Sequence, residues 1–198
     1  MTQNIAADPA RSDPTGVFIT GPTGFGKTAL ARAFATGARD SGASVHVLDT
    51  VRGALGYQDL EPEHCHSSVH TAVEALRAIF RRTTSDHPVV FIFDNLAAAL
   101  RREDRADVPT EREKLDLDGR NRDRDQLADF VADSFVFGDE LGLFPVVVTQ
   151  KTSDILLIDR VKQVATGWAH FEFTSIGRGT LHTEHDKTPF VLPVPAAR

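Results

Sequence analysis

The sequence predicts an α/β fold in three layers, a mainly parallel sheet flanked by helices, with a β-hairpin at the C-terminal end. Three observations carry that prediction. Apolar runs such as Val17-Phe18-Ile19, Val89 to Phe93 and Val146 to Val148 are unbroken, as suits parallel strands covered on both faces. Segments with apolar residues at helical spacing separate these runs. The first run also passes through a glycine-rich turn straight into a helical pattern. Alternation of strand and helix along one chain is the mark of a layered α/β domain.

Taken in order, the first strand is Val17–Thr20, and Ala29-Leu30-Ala31-Arg32-Ala33-Phe34 opens a helix that runs to about Arg39. Ser41-Gly42 closes it, glycine being the common C-terminal stop. Val45–Asp49 is the second strand, and Val51 to Ser67 an irregular connection. Thr71-Ala72-Val73-Glu74 has the spacing of a capping box, and Val69, Val73, Leu76 and Phe80 recur at helical period. Arg81 and Arg82 suit the end of that helix. Pro88 precedes the strand Val89–Asp94. The segment Arg101–Gln126 holds nine acids, seven Arg and one Lys, with Val108, Leu115 and Leu117 as its only large apolar side chains. It is predicted to be a mobile charged insertion with little to bury. Leu127, Phe130, Val131 and Leu141 resume a helical stripe before the strand Pro145–Gln150. A short helix near Asp159–Ala165 is followed by alternating Ala169, Phe171 and Phe173, a strand over Trp168–Thr174. Thr180–Thr183 and Phe190–Leu192 form the final hairpin. There is no internal repeat.

A chain of 198 residues fits one domain with a full core, placed at 16–195 after a polar lead-in, Met1 to Thr15, that reads as disordered. No apolar stretch reaches the ~20 residues needed to span a membrane. The single Cys65 excludes an internal disulfide and fits a reducing, cytoplasmic setting. A net charge of −6 argues against a broad nucleic-acid-binding surface but leaves room for a local basic contact in an oligomer.

The turn after the first strand reads Gly21-Pro22-Thr23-Gly24-Phe25-Gly26-Lys27-Thr28, the phosphate-binding P-loop pattern between a strand and a helix. Glycines let the backbone curl so that several N–H groups point at one anion, and the next helix adds its positive end. Gly21 to Thr28, with Ala29 at the head of the helix, are the candidate cofactor-binding residues for ATP or GTP. Lys27 is expected on the β- and γ-phosphates, and Thr28 on Mg²⁺. Asp94, ending a buried strand, is the candidate second Mg²⁺ residue; the alternative is an Asp that caps a helix starting near Leu96. Thr149-Gln150 ends another strand, where Gln150 could orient water beside the γ-phosphate. Lys27, Asp94, Gln150 and Asp49 are the candidate catalytic residues. Two further clusters are weaker. His64-Cys65-His66 with His70 matches no structural zinc spacing, and His182-Thr183-Glu184-His185 falls in the hairpin.

These features resemble the FtsK/HerA class of P-loop motors: FtsK and SpoIIIE translocases, conjugation coupling proteins and type VII secretion ATPases. The resemblance runs from about Thr15 to Thr174. It rests on the P-loop, Val45–Asp49 with Arg52-Gly53, Ala72–Arg82, Val89–Asn95 and above all Val148-Thr149-Gln150-Lys151-Thr152-Ser153-Asp154. It implies a RecA-like P-loop NTPase core, ATP with Mg²⁺, a hexameric ring of like or unlike subunits, and a DNA or protein cargo. One departure matters: where the family usually has a Glu after the metal-binding Asp, this chain has Asn95, and an amide cannot take a proton. Hydrolysis is then slow, or Asp49 substitutes as the base. Arg160 and Arg178 are the arginine-finger candidates. The other readings are a non-hydrolysing ATP-binding subunit, a RecA/KaiC-like regulatory or recombination ATPase, and a small-molecule kinase with the charged segment as its lid. An AAA+ reading fits the P-loop, but strands stand where a helical lid is expected.

Overall fold

The structure is a computed structural model that describes residues 14–53, 55–57, 65–82, 87–108, 110–150, 161, 167–183 and 186–192. Its centre is one eight-stranded sheet. In chain order the strands are β1 (Gly16–Thr20), β2 (Ser44–Leu48), β3 (Cys65–His66), β4 (Val89–Asp94), β5 (Leu143–Thr149), β6 (Trp168–Ser175), β7 (Arg178–His182) and β8 (Lys187–Val191). They lie side by side as β3-β2-β4-β5-β1-β6-β7-β8. Pairing is parallel from β3 to β6 and antiparallel through β7 and β8, the hairpin read from the sequence.

Helices cover both faces. On one lies α1 (Lys27–Asp40); on the other lie α2 (Val69–Phe80), α3 (Leu96–Leu100) and α4 (Glu111–Leu141). Strand alternation divides the core between the two sides. Phe18, Phe91, Phe93 and Val147 pack with α2, α3 and α4, while Val17, Ile19, Ile92, Val146 and Val148 pack with Leu30, Ala31 and Ala35 of α1. Both sets are buried, so β1, β4 and β5 read as unbroken apolar runs up to the polar residues that end them, Thr20, Asp94 and Thr149.

Local differences from the sequence expectation have identifiable causes. Helix α2 starts at Val69, capped by the Ser68 side chain, which accepts from the Thr71 N–H; the Thr71–Glu74 spacing is not its cap. Glu74 instead pairs with Arg77 one turn on. The connection after β2 is not wholly irregular: it holds a 3-10 turn at Leu55–Tyr57, and Cys65-His66 adds β3 to the sheet edge.

The largest difference concerns Arg101–Gln126, expected to be a mobile charged insertion with little to bury. Residues 111–126 are the first half of α4, and Leu117 is fully buried. A capping box starts the helix: Thr110 accepts from the Glu113 N–H while the Glu113 carboxylate accepts from the Thr110 N–H. The charges neutralise one another in place. Glu103 accepts from Arg120 and Arg124, which hold its carboxyl below the usual range, and Arg102 pairs with Asp125. His70 and Arg77 tie α2 to Asp123 and Gln126. The lead-in up to residue 13, the 151–154 part of the family-like stretch and Arg160 lie outside the described residues, as does the expected helix near 159–165 apart from buried Val161.

Candidate functional site

The loop Gly21–Gly26 joins β1 to α1 and places Lys27 and Thr28 in the first turn of the helix. Its backbone demands glycine. Gly21 has φ +139°, and a Cβ there would lie 2.7 Å from the Phe173 Cβ. Gly26, the N-cap of α1, has φ +106°. Strand β6 thus presses against the back of the loop, and the turn after it donates the Gly177 N–H to the Phe25 carbonyl. Phe25 packs into the α1-side core, which leaves the loop's inner side free of its ring.

Four strand ends converge in front of this loop. A cavity of about 380 Å³ is lined by Thr23, Gly24, Gly26 to Ala29, Asp49, Val51, Arg52, Gly56, Asp94, Asn95 and Val148 to Gln150. That size is within the ~300–1,000 Å³ usual for small-molecule sites. The candidates Lys27, Thr28, Asp94, Asp49 and Gln150 therefore stand around one space, although they come from distant parts of the sequence. Arg178 begins β7, beyond this lining, and is exposed.

The contacts inside the site are specific. Lys27 Nζ donates to the Gly21 and Pro22 carbonyls at 2.7 and 2.8 Å, folded back over the loop. Burial lowers its pKa, against the opposing pull of the Asp94 charge. Thr28 Oγ1 donates to Asp94 Oδ2 at 3.0 Å, and Tyr57 Oη donates to the same oxygen at 2.9 Å. Burial raises the pKa of Asp94, and the two hydroxyl donors oppose that shift. Asp94 does not cap α3; Asn95 holds that position, without a side-chain capping bond. Asn95 Oδ1 is buried and has no partner among the described residues.

Asp49 is buried and has a local structural task as well. Its Oδ1 accepts from the Val51 and Arg52 N–H groups, which forms the turn after β2. Gln150 is exposed at the end of β5 beside buried Thr149. Tyr57 is the residue that sequence reasoning missed. It is the only tyrosine, 1% exposed, and no periodic signal in its connector announces it.

The chemistry available is that of an anion and metal site. Backbone N–H groups at a helix start, one lysine and a hydroxyl–carboxylate pair are a donor set for a polyphosphate with a hard divalent cation. The weaker clusters show no such set. His66 stacks with His46 and Phe91 inside the fold, Cys65 is in no disulfide, and no group of three metal-ligating side chains is found among the described residues. Glu184 and His185 lie outside the described residues.

Comparisons with known proteins bear on the fold and the family. In fold, the chain is similar to TcpA, the pCW3 conjugation coupling protein solved as a monomer with ATPγS, with a TM-score of 0.67 at 14% identity. That match covers 91% of this chain and 60% of TcpA. The cytoplasmic domain of the type VII secretion ATPase EccC of Thermomonospora curvata gives 0.61 at 15% identity, over 94% of this chain and 24% of that one. EssC ATPases 2 and 3 of Geobacillus thermodenitrificans give 0.56 at 16%, over 93% and 37%. In sequence, an uncharacterised AAA domain-containing protein of Schizosaccharomyces pombe is 36% identical over 93 residues, 47% of this chain and 10% of that protein. The chain thus spans three-fifths or less of each of these relatives. Residues 17–117, just over half of the 198, match the family described as ATPase family associated with various cellular activities (AAA). The match contains the P-loop, Asp49, Tyr57, Asp94 and Asn95 and ends before the C-terminal strands, and on it the chain belongs to the AAA family of ATPases.

Proposed function

We propose that this chain binds ATP with Mg²⁺ at its P-loop and couples binding and slow hydrolysis to movement of a DNA or protein cargo, as FtsK-type motors do. The observation that carries the reading is the pair Thr28 and Asp94, hydrogen-bonded at 3.0 Å in the mouth of a glycine-built anion cradle. In this reading Lys27 leaves the Gly21 and Pro22 carbonyls for the β- and γ-phosphates, and the loop N–H groups with the start of α1 hold the rest of the chain of phosphates. Thr28, through a hydroxyl lone pair, and Asp94 would hold Mg²⁺, which would supply charge neutralisation at the phosphates. Gln150, Asp49 and Asn95, which line the same cavity, orient the attacking water. A cytoplasmic setting belongs to the same proposal, supported by the single cysteine, Cys65, which excludes an internal disulfide.

A second reading has its own observation. The unpartnered amide oxygen of Asn95 stands where the motor family usually has a Glu, so the chain could bind ATP without turning it over, as a regulatory or interface subunit. Both readings require nucleotide binding through Lys27. Lys27→Ala should abolish MgATP binding at micromolar concentrations in a calorimetric titration. Unchanged affinity would refute the site.

A further inference from the structure

Tyr57 has no task in the reading above, yet its hydroxyl ends on the carboxylate assigned to the metal. The connector that carries it is fastened at several points. Arg32 of α1 donates to the Gly56 carbonyl, and a Cβ added to Gly56 would meet the Thr28 methyl at 3.3 Å. The Asp49 turn fixes its start through the Val51 and Arg52 N–H groups. Tyr57 itself is buried with its ring in the α1-side core and only its Oη directed at Asp94.

The geometry points to Tyr57 as the positioning residue of the metal site: its hydroxyl fixes Asp94 for Mg²⁺ and ties metal occupancy to the connector after β2. This inference rests on the P-loop reading. Thr28 and Tyr57 donate to the same Oδ2 of Asp94. A Thr28 hydroxyl that gave a lone pair to the metal would be shared between that metal and Asp94, whereas Tyr57 is a donor to Asp94 that the metal leaves untouched. A hydroxyl donor also partly compensates a buried carboxylate for lost water. Outer-shell partners of this kind typically carry about 10–100-fold in metal affinity. Because Val51, Arg52 and Gly56 of the same connector line the cavity, a change at Asp94 reaches the rim of the site through Tyr57.

Two measurements test this. The first uses full-length Tyr57→Phe, which keeps the ring and removes only the hydroxyl. Binding of ATP is followed by calorimetry as Mg²⁺ is varied and with chelator present. The Mg²⁺ concentration for half-effect should rise about 10-fold, while affinity for metal-free ATP should stay within about twofold of wild type. An unchanged Mg²⁺ dependence overturns the inference; a purely structural role would weaken both forms alike, and that result overturns it too. The second measurement uses wild-type protein labelled with meta-fluorotyrosine, which gives one fluorine resonance because the chain has one tyrosine. MgATP should move that resonance and ATP with chelator should leave it near the apo position. This readout decides the matter if Tyr57→Phe fails to fold, and a resonance indifferent to the metal then overturns the inference. If the wild-type protein binds no ATP with or without Mg²⁺, the P-loop reading itself fails and this inference falls with it. ATP binding without response at Tyr57 refutes this inference alone.

Discussion

Asn95 and Asp49 set the catalytic question at the scale of single residues. Phosphoryl transfer to water needs a group that accepts or orients the water's proton. Asn95 can orient water through its unpartnered, buried Oδ1 but cannot take the proton. Asp49 can accept it, although its Oδ1 already closes the turn with the Val51 and Arg52 N–H groups, which leaves Oδ2 for the task. Loss of a general base typically costs about 10²–10⁴ in rate. Steady-state ATP turnover should therefore be slow, and Asn95→Glu should raise it clearly if the site follows the motor pattern. If Asp49 is the base, Asn95→Glu changes little and Asp49→Asn removes the activity. Asp49→Asn is a clean substitution, because Asn closes the same type of turn. Fast turnover that neither variant alters would refute both assignments. Most of this site was legible in the sequence because its parts sit at strand ends with fixed spacing: Lys27 and Thr28 after β1, Asp94 at the end of β4, Gln150 after β5. Tyr57 was not legible. Its hydroxyl meets Asp94 across 37 residues, and no local pattern encodes that contact.

At the scale of elements, α4 shows how a highly charged segment can form a helix. Its first half buries Leu117 and otherwise depends on a capping box, an i,i+3 pair of Lys114 with Glu111, and cross-pairing of Glu103 with Arg120 and Arg124. Exposed pairs are individually worth only about 0–1 kcal/mol, so Leu117 and the cap should dominate. Leu117→Ala should cost about 2–5 kcal/mol, and Thr110→Ala about 1 kcal/mol, both read from denaturant unfolding midpoints. A loss under about 0.5 kcal/mol at Leu117, the scale of a neutral surface change, would mean that this half of α4 does not pack. The Thr110–Glu113 cap signal is present in the sequence, but high charge and few large apolar side chains predict little burial there. Elsewhere the elements were legible where burial forces one pattern. Strands β1, β4 and β5, covered on both faces, could be nothing but apolar runs, and β6 alternates because its Ala169, Phe171 and Phe173 alone face the α1-side core. Two-residue β3 had no pattern of its own; it exists because β2 offers it an edge.

At the scale of the whole molecule, the cavity opens at the ends of β1, β2, β4 and β5, and the connector at its rim carries exposed apolar side chains. Val51 and Leu55 are 61% and 63% exposed, large apolar groups beside a polar site. A second subunit that covered this rim would bury them and enclose the phosphates, and ligand held between two subunits stabilises the assembly by mass action. Nucleotide should therefore promote self-association. Multi-angle light scattering with a non-hydrolysable ATP analogue and Mg²⁺ should report a larger species than the nucleotide-free protein at the same concentration. Leu55→Asp, which places a charge on the rim outside the cavity lining, should weaken that association while calorimetric nucleotide binding persists. A strict monomer with saturating nucleotide at every concentration would refute self-association and leave a different protein, or no partner at all, to cover the rim.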